Sequence, residues 1–256
     1  MYDNTVRIRV LRLLADGLSI SEAGRRTGVS RAAIREWRDD PNALTPRVPA
    51  SCVRCGSPPR PPDDPVAYAY LLGLYLGDGC ISPAGDPAKH VWALRIACAD
   101  AYPGLIAECA AAMATVLPNS VFRVRGTGYT MVTSTSKHWP CLFPQLGPGT
   151  KHSRRIILEP WQRRITDAHA GAFIRGLIHS DGTRFINRVR RPLADGDHWY
   201  AYPRYQFVNE SADIREFAAA ALTHLGVAWR YSRHNTISVA RKDAVARLDG
   251  FVGVKY

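Results

Sequence analysis

Two aspartates carry the strongest chemical signal in this sequence of 256 residues, because the same setting occurs twice. Residues 71–79 read LLGLYLGDG, and residues 174–182 read IRGLIHSDG, preceded by Phe173. Each is an apolar segment of helical character with a glycine on one face, Gly73 or Gly176, and each ends in Asp-Gly. A carboxylate in the last turn of a helix faces the negative end of the helix dipole and needs a cation nearby. The glycine after it stands where a left-handed cap residue is favoured. Glycine at 73 and 176 lets two such helices approach closely, which would bring Asp78 and Asp181 together at the end of the pair. Carboxylates at close quarters repel, and a divalent metal is the usual remedy. One Asp-Gly alone would be an ordinary helix-ending turn. Two with matching surroundings are not.

Charge then limits the partners. The net charge is +12, from 29 Arg and five Lys against 22 acidic residues, which points to an anionic partner. The excess is spread along the chain rather than gathered in a tail. The opening MYDNTVRIRVLRLL lacks the apolar core and cleavage site of a signal peptide. The longest apolar run, around 66–76, is too short to span a membrane. Six cysteines with one Cys-x-x-Cys fit a reducing compartment, so a cytoplasmic protein is expected. There is no nucleophile elbow, Walker loop or dinucleotide fingerprint.

Residues 1–40 predict a small all-α domain. Apolar residues from Val6 to Leu14 recur at helical spacing, and Gly17 stops the helix. Ser19 with Glu22 has capping-box spacing and opens a second helix. After Gly28-Val29, Ser30 caps a third, RAAIREWRDD. Helix, short glycine turn, helix is the helix-turn-helix pattern. Ser30, Arg31, Ala32 and Arg35 would then face a major groove, over a core of Ala23, Val29, Ile34 and Trp37. Residues 41–65 hold eight of the 18 prolines and form a semi-rigid linker. Within it Cys52 and Cys55 make half of a zinc knuckle. Structural Zn²⁺ needs two further ligands from Cys80, Cys98, Cys109, Cys141 or a histidine. Two free thiols are the alternative.

The rest divides into two similar halves, 66–165 and 166–256, each with the order α-β-β-α-β-β-α. The fold class expected is therefore α+β, two pseudo-symmetric halves preceded by the helix-turn-helix. That order, with the Asp-Gly helix first, resembles the LAGLIDADG homing endonucleases over about residues 66–256. The resemblance implies a site-specific endonuclease acting on double-stranded DNA, working as a monomer with an internal pseudo-twofold axis. It also implies Mg²⁺ held by Asp78 and Asp181, assisted by the main-chain carbonyls of Gly77 and Ser180. Basic residues near the scissile phosphates in that family correspond to Lys137 and Lys242. Each follows the fourth strand of its half, 59 residues after Asp78 and 61 after Asp181. His179 and Leu76 stand where the motif's name has its first Asp. Some bacterial regulators join a helix-turn-helix to such a domain without its acids, so a non-catalytic DNA-binding regulator is the rival.

Specificity would come from the two sheets tracking the major groove. The candidates are Arg95, Arg123, Arg125 and Tyr129 in the first half. In the second they are Arg184, Asn187, Arg204, Gln206, Arg230 and Arg233. Alternation along a strand turns about half of these away. The loop 147–155, with Lys151, His152, Arg154 and Arg155, is a candidate phosphate clamp, as is RVRR at 188–191, read as an insertion between strands.

Overall fold

The computed structural model describes residues 4–39, 60–86, 89–193, 196–253 and 255. Cys52 and Cys55, and most of the proline-rich linker, lie outside the described residues. The chain forms two compact units, Met1–Ser51 and Cys52–Tyr256.

The first unit has three helices, α1 (Asn4–Ala15), α2 (Ile20–Thr27) and α3 (Arg31–Asp39). Ser19 Oγ accepts from the Glu22 amide at 3.2 Å, and Gly28 takes a left-handed φ of 71° that ends α2. Val10, Ala23, Val29, Ile34 and Trp37 are all buried in one cluster. On α3 this leaves Arg31, Arg35 and Arg38 exposed.

The second unit begins with α4 (Pro65–Asp78), where Asp64 Oδ1 caps the Ala67 amide at 2.8 Å and Pro65 supplies a first-turn residue that needs no donor. There follow β1 (Gly79–Pro83), β2 (Trp92–Ala99), α5 (Pro103–Val116), β3 (Val121–Arg125), β4 (Tyr129–Ser136) and a short α6 (Trp139–Leu142). The second half has α7 (Pro160–Ala168), α8 (Ala170–Asp181), β5 (Gly182–Leu193) and β6 (Gly196–Val208). It closes with α9 (Ala212–His224), β7 (Arg230–Arg233), β8 (Thr236–Val239) and α10 (Lys242–Val252).

Each half carries a four-stranded antiparallel sheet with the same order, β1-β2-β4-β3 and β5-β6-β8-β7. The two-half α+β architecture expected from the sequence is the one the chain adopts. One face of each sheet packs on helices through Leu94, Ile96, Cys98 and Val132, or through Tyr205, Phe207, Ile237 and Val239. Both halves contribute to a single core. Two local features differ from the sequence expectation. The arginine-rich stretch 188–191 is not an insertion: it belongs to β5, paired with β6 from Gly182↔Phe207 to Leu193↔Gly196. An additional helix, α7, precedes the Asp-Gly helix of the second half.

Candidate active site and nucleic-acid interface

The junction of α4 and α8 places the acids. A methyl at Gly73 would stand 2.5 Å from the Phe173 carbonyl oxygen and 2.7 Å from the Leu177 amide, and one at Gly176 would run into the Tyr70 carbonyl. The helices therefore touch backbone to backbone, as only glycine permits. At their ends a methyl on Gly77 would meet the Ser180 side chain and lie 2.9 Å from Asp181 Oδ2. Asp78 and Asp181 thus converge, and Asp78 is one cause of the raised pKa of Asp181.

The glycines after the acids are not left-handed caps. Gly79 and Gly182 are extended, with φ of −93° and −102°. Glycine is needed there for space: a Cβ would come within 2.6 Å of Tyr75 Cα or Ile178 Cα as the chain doubles from helix into strand.

Burial pushes Asp181 up to about 6, with Asp78 adding to the shift and a hydrogen bond from Asn209 Nδ2 at 2.6 Å opposing it. Burial also raises Asp78, against the opposing charges of Lys151 and Lys255. Those two lysines complete the cluster. Lys151 Nζ donates to the Gly77 carbonyl at 2.8 Å and lies 5.1 Å from the Tyr75 ring centre. Lys255 Nζ donates to the Gly182 carbonyl at 3.3 Å and lies 5.1 Å from that of Tyr102. Burial lowers both ammonium groups, Lys151 to about 8, while both aspartates hold them charged. Lys151 follows Asp78 by 73 residues and Lys255 follows Asp181 by 74, so the pair repeats with the pseudo-symmetry of the halves.

Lys137 and Lys242, the lysines expected at the site, are both exposed. Lys137 lies between β4 and α6, and Lys242 is the first residue of α10. Neither is among the charges that shift the two aspartates. Both lysine pairs have matched offsets in the sequence, so spacing alone could not choose between them.

Other side chains hold the C-terminal segment that carries Lys255. His179 is buried, with Nδ1 3.0 Å from the Tyr70 hydroxyl and Nε2 3.1 Å from the Val252 carbonyl. Since a carbonyl only accepts, Nε2 bears the proton and Tyr70 donates to Nδ1. Burial pushes His179 down to about 4, so it is neutral at physiological pH. Arg175 donates to both carboxylate oxygens of Glu108 at 2.8 Å and to the Val252 carbonyl at 3.1 Å.

The donor set around the acids suits a hard divalent cation. Among the described residues no group of three His, Cys, Asp or Glu could hold a metal. Protein ligation would therefore come from two carboxylates, with oxygens of main chain, water or phosphate as complement, which is how Mg²⁺ is usually held. The Gly77 carbonyl expected to assist is engaged by Lys151. Cys98 and Cys109 are buried free thiols in the first half. A cleft of about 470 Å³ opens beside the acids, lined by Gly77, Cys80, Lys151, Arg154, Asp181 and Asn209 among others. Arg154 Nε is buried there without a partner among the described residues.

Strand register sorts the candidate contact residues, because directly paired residues share a face. In the second sheet Arg204, Gln206, Arg230 and Ser238 share the face opposite the helices, and Arg204 Nε donates to Ser238 Oγ at 2.8 Å. Three-residue spacing should put Arg230 and Arg233 on opposite faces. A bulge between Tyr231 and Arg233 pairs Arg233 with Thr236, and both arginines reach the open face. Asn187 lies on that face too, donating to the Tyr202 hydroxyl at 2.7 Å. Arg184 does not: it lies on the helix side, paired bidentately with Asp249 at 2.8 and 3.0 Å. In the first sheet Arg95 is on the open face and donates to Ser82 Oγ. Arg123 is in register with buried Val132 and acts on Cys109 of α5, which puts it on the helix side. Arg125 has the same register but, at the strand end, lines the rim of the open face beside Gly126 and Tyr129.

Residues 2–44 match a family model described as a homeodomain-like domain. No curated protein matches the chain. Among solved structures, the homing endonuclease I-DmoI in complex with DNA and Mn is similar at 17% identity and a TM-score of 0.47, over 75% of this chain and 99% of that one. Full-length DUF199/WhiA from Thermatoga maritima is similar at 12% identity and a TM-score of 0.47, over 76% of this chain and 58% of that one. The LAGLIDADG meganuclease I-AabMI bound to uncleaved DNA is similar at 9% identity and a TM-score of 0.42, over 72% and 82%. No helix among the described residues is long and apolar enough to cross a membrane.

Proposed function

We propose that the chain is a site-specific, Mg²⁺-dependent endonuclease of double-stranded DNA, acting as a monomer whose two halves each serve one strand. The observation that carries this reading is the convergence of Asp78 and Asp181 between Lys151 and Lys255. Phosphodiester hydrolysis needs an activated water, a stabilised pentavalent phosphorus and help for the departing oxygen. Asp78 and Asp181 would hold the divalent ion, which when bound supplies Lewis acidity and lowers the pKa of a bound water. Lys151 and Lys255 offset the charge gathering on the phosphate, and their opposite placement gives each half one cation. Arg154, which lines the cleft, is suited to a neighbouring phosphate oxygen through its guanidinium. Asn209 fixes one Asp181 oxygen and leaves the other to bind. The homeodomain-like unit adds a second DNA contact through Arg31 and Arg35.

A second reading has an observation of its own. Lys151 already occupies the Gly77 carbonyl, and two ammonium groups already neutralise the acids. A regulator that binds without cutting would keep such a balance. Incubating supercoiled plasmid carrying the native locus with full-length protein and Mg²⁺ separates the two. Cutting that Asp78→Asn or Asp181→Asn abolishes supports the endonuclease; sequence-selective binding with no cutting in Mg²⁺ or Mn²⁺ refutes it in favour of the regulator. Lys151→Ala and Lys255→Ala are each expected to slow cutting about 100-fold or more. Lys137→Ala and Lys242→Ala are expected to change it less than about threefold; a reversed pattern would return the role to the exposed pair.

A further inference from the structure

The open face of the first sheet differs in kind from that of the second. Its edge strand β3 turns Phe122 and Val124 outward, 47% and 53% exposed, while Arg123 goes to the helix side. Met131 and Thr133 of β4 pair with these two residues and share their face. Ala93 and Ala97 of β2 continue it, paired with Thr135 and Met131. The result is an open groove of about 490 Å³ with an apolar and hydroxyl floor, in which Arg95 stands between the two alanines and Arg125 lies at the rim.

We infer that this face reads thymine, by apolar contact of Phe122, Val124 and Met131 with 5-methyl groups in the major groove. The inference rests on the DNA-binding reading above and adds to it which base the first half selects. Thymine alone among the bases presents a methyl group in that groove, next to an O4 acceptor. The floor offers the complement: methyl-sized apolar side chains interleaved with hydroxyl donors, Thr133 and Thr135. Three observations favour a nucleic acid over a protein as the occupant. The face is continuous through Cys80 and Ser82 of β1 with the strand that starts at the acid pair. It carries cations, Arg95 on β2 and Arg125 at the rim, suited to an anionic partner. A second copy of the chain would set those arginines against each other.

The test begins with selection of duplexes from a randomised library by full-length protein, with Ca²⁺ in place of Mg²⁺. In the selected duplex each thymine is then replaced singly by deoxyuridine, which keeps the base pairing and removes only the methyl. One half-site is expected to contain thymines whose replacement weakens binding roughly threefold per methyl. In the Val124→Thr, Met131→Gln double variant that sensitivity is expected to vanish, while affinity for the deoxyuridine duplex is retained. Arg230→Ala is expected to weaken binding of the thymine and deoxyuridine duplexes alike, leaving the sensitivity to the methyl unchanged. Sequence-selective binding that is indifferent to deoxyuridine throughout would overturn this inference and leave the DNA-binding reading standing. Failure to select any duplex would overturn both. Self-association abolished by Phe122→Ser would assign the face to a dimer contact instead.

Discussion

The two edge strands, β3 and β7, occupy the same place in their sheets and turn opposite chemistry outward. VFRVR in the first half is a regular strand, so its arginines lie on the helix side and at the rim while Phe122 and Val124 face outward. RYSR in the second half carries a bulge, so Arg230 and Arg233 both face outward and Tyr231 takes the inner register. Strand phase turns Arg230 to the open face and Arg123 to the helix side, and the bulge adds Arg233 to the open face. Both sheets stand on the same pair of glycine-packed helices, and it is the strands at the rim, away from that junction, that differ.

Breaking the shared junction has the largest expected effect. Gly73→Ala and Gly176→Ala force a methyl into opposing backbone, at a cost of several kcal/mol, roughly 3 or more, visible as loss of the cooperative urea transition of the second unit. Gly250, inside α10, has no atom within 4 Å of its would-be Cβ. There Gly250→Ala is expected to stabilise by about 0.5–1 kcal/mol, and a loss of stability would show that the position is crowded.

Next comes the contrast between edge strands. Arg230→Ala with Arg233→Ala is expected to weaken binding of selected duplex by roughly 10- to 100-fold. Arg123→Ala is expected to change it less than about twofold. Fluorescence anisotropy over a salt series decides this, and equal losses from both strands would refute the register argument.

A third contrast lies in the motif helices, where the second half has His179 in the place of Leu76. Copying the first half with His179→Leu removes one hydrogen bond each from the Tyr70 hydroxyl, which keeps Glu108 Oε2 at 3.3 Å, and the Val252 carbonyl, which keeps Arg175, costing about 1–2 kcal/mol at pH 7. Its pH signature is distinct. The folded pKa near 4 lies below the ordinary 6.5, so as pH falls through that window the unfolded chain gains a proton that the folded one refuses, and stability falls. Asp181 acts in the opposite sense. Its folded pKa near 6 lies above 3.8, so its burial costs stability as pH rises between those values. Asp181→Asn should therefore steepen the loss of stability on acidification between pH 6 and 4, and His179→Leu should flatten it. Urea midpoints across that range measure both.

The smallest effect is expected at Arg184. Its pair with Asp249 is substantially exposed, so Arg184→Ala should cost less than about 1 kcal/mol and leave DNA affinity unchanged.

Much of this was legible in the sequence because it is local or repeated. Two matching Asp-Gly segments announced paired helices and paired acids. Ser19 with Glu22, and Gly28, announced the helix-turn-helix, and its core residues Ala23, Val29, Ile34 and Trp37 followed from helical spacing. What escaped was set by contacts between distant segments. The extended backbone of Gly79 and Gly182 arises from crowding by Tyr75 and Ile178, which a cap rule does not contain. Sequence alone determined that two acids and two lysine pairs exist at matched offsets and that arginine is in excess, since composition and repetition belong to the chain itself. Only the tertiary structure decided which lysine pair reaches the acids and which arginines face outward. Burial beside a charge and the register of a strand are relations between segments far apart along the chain, and they exist only once it has folded.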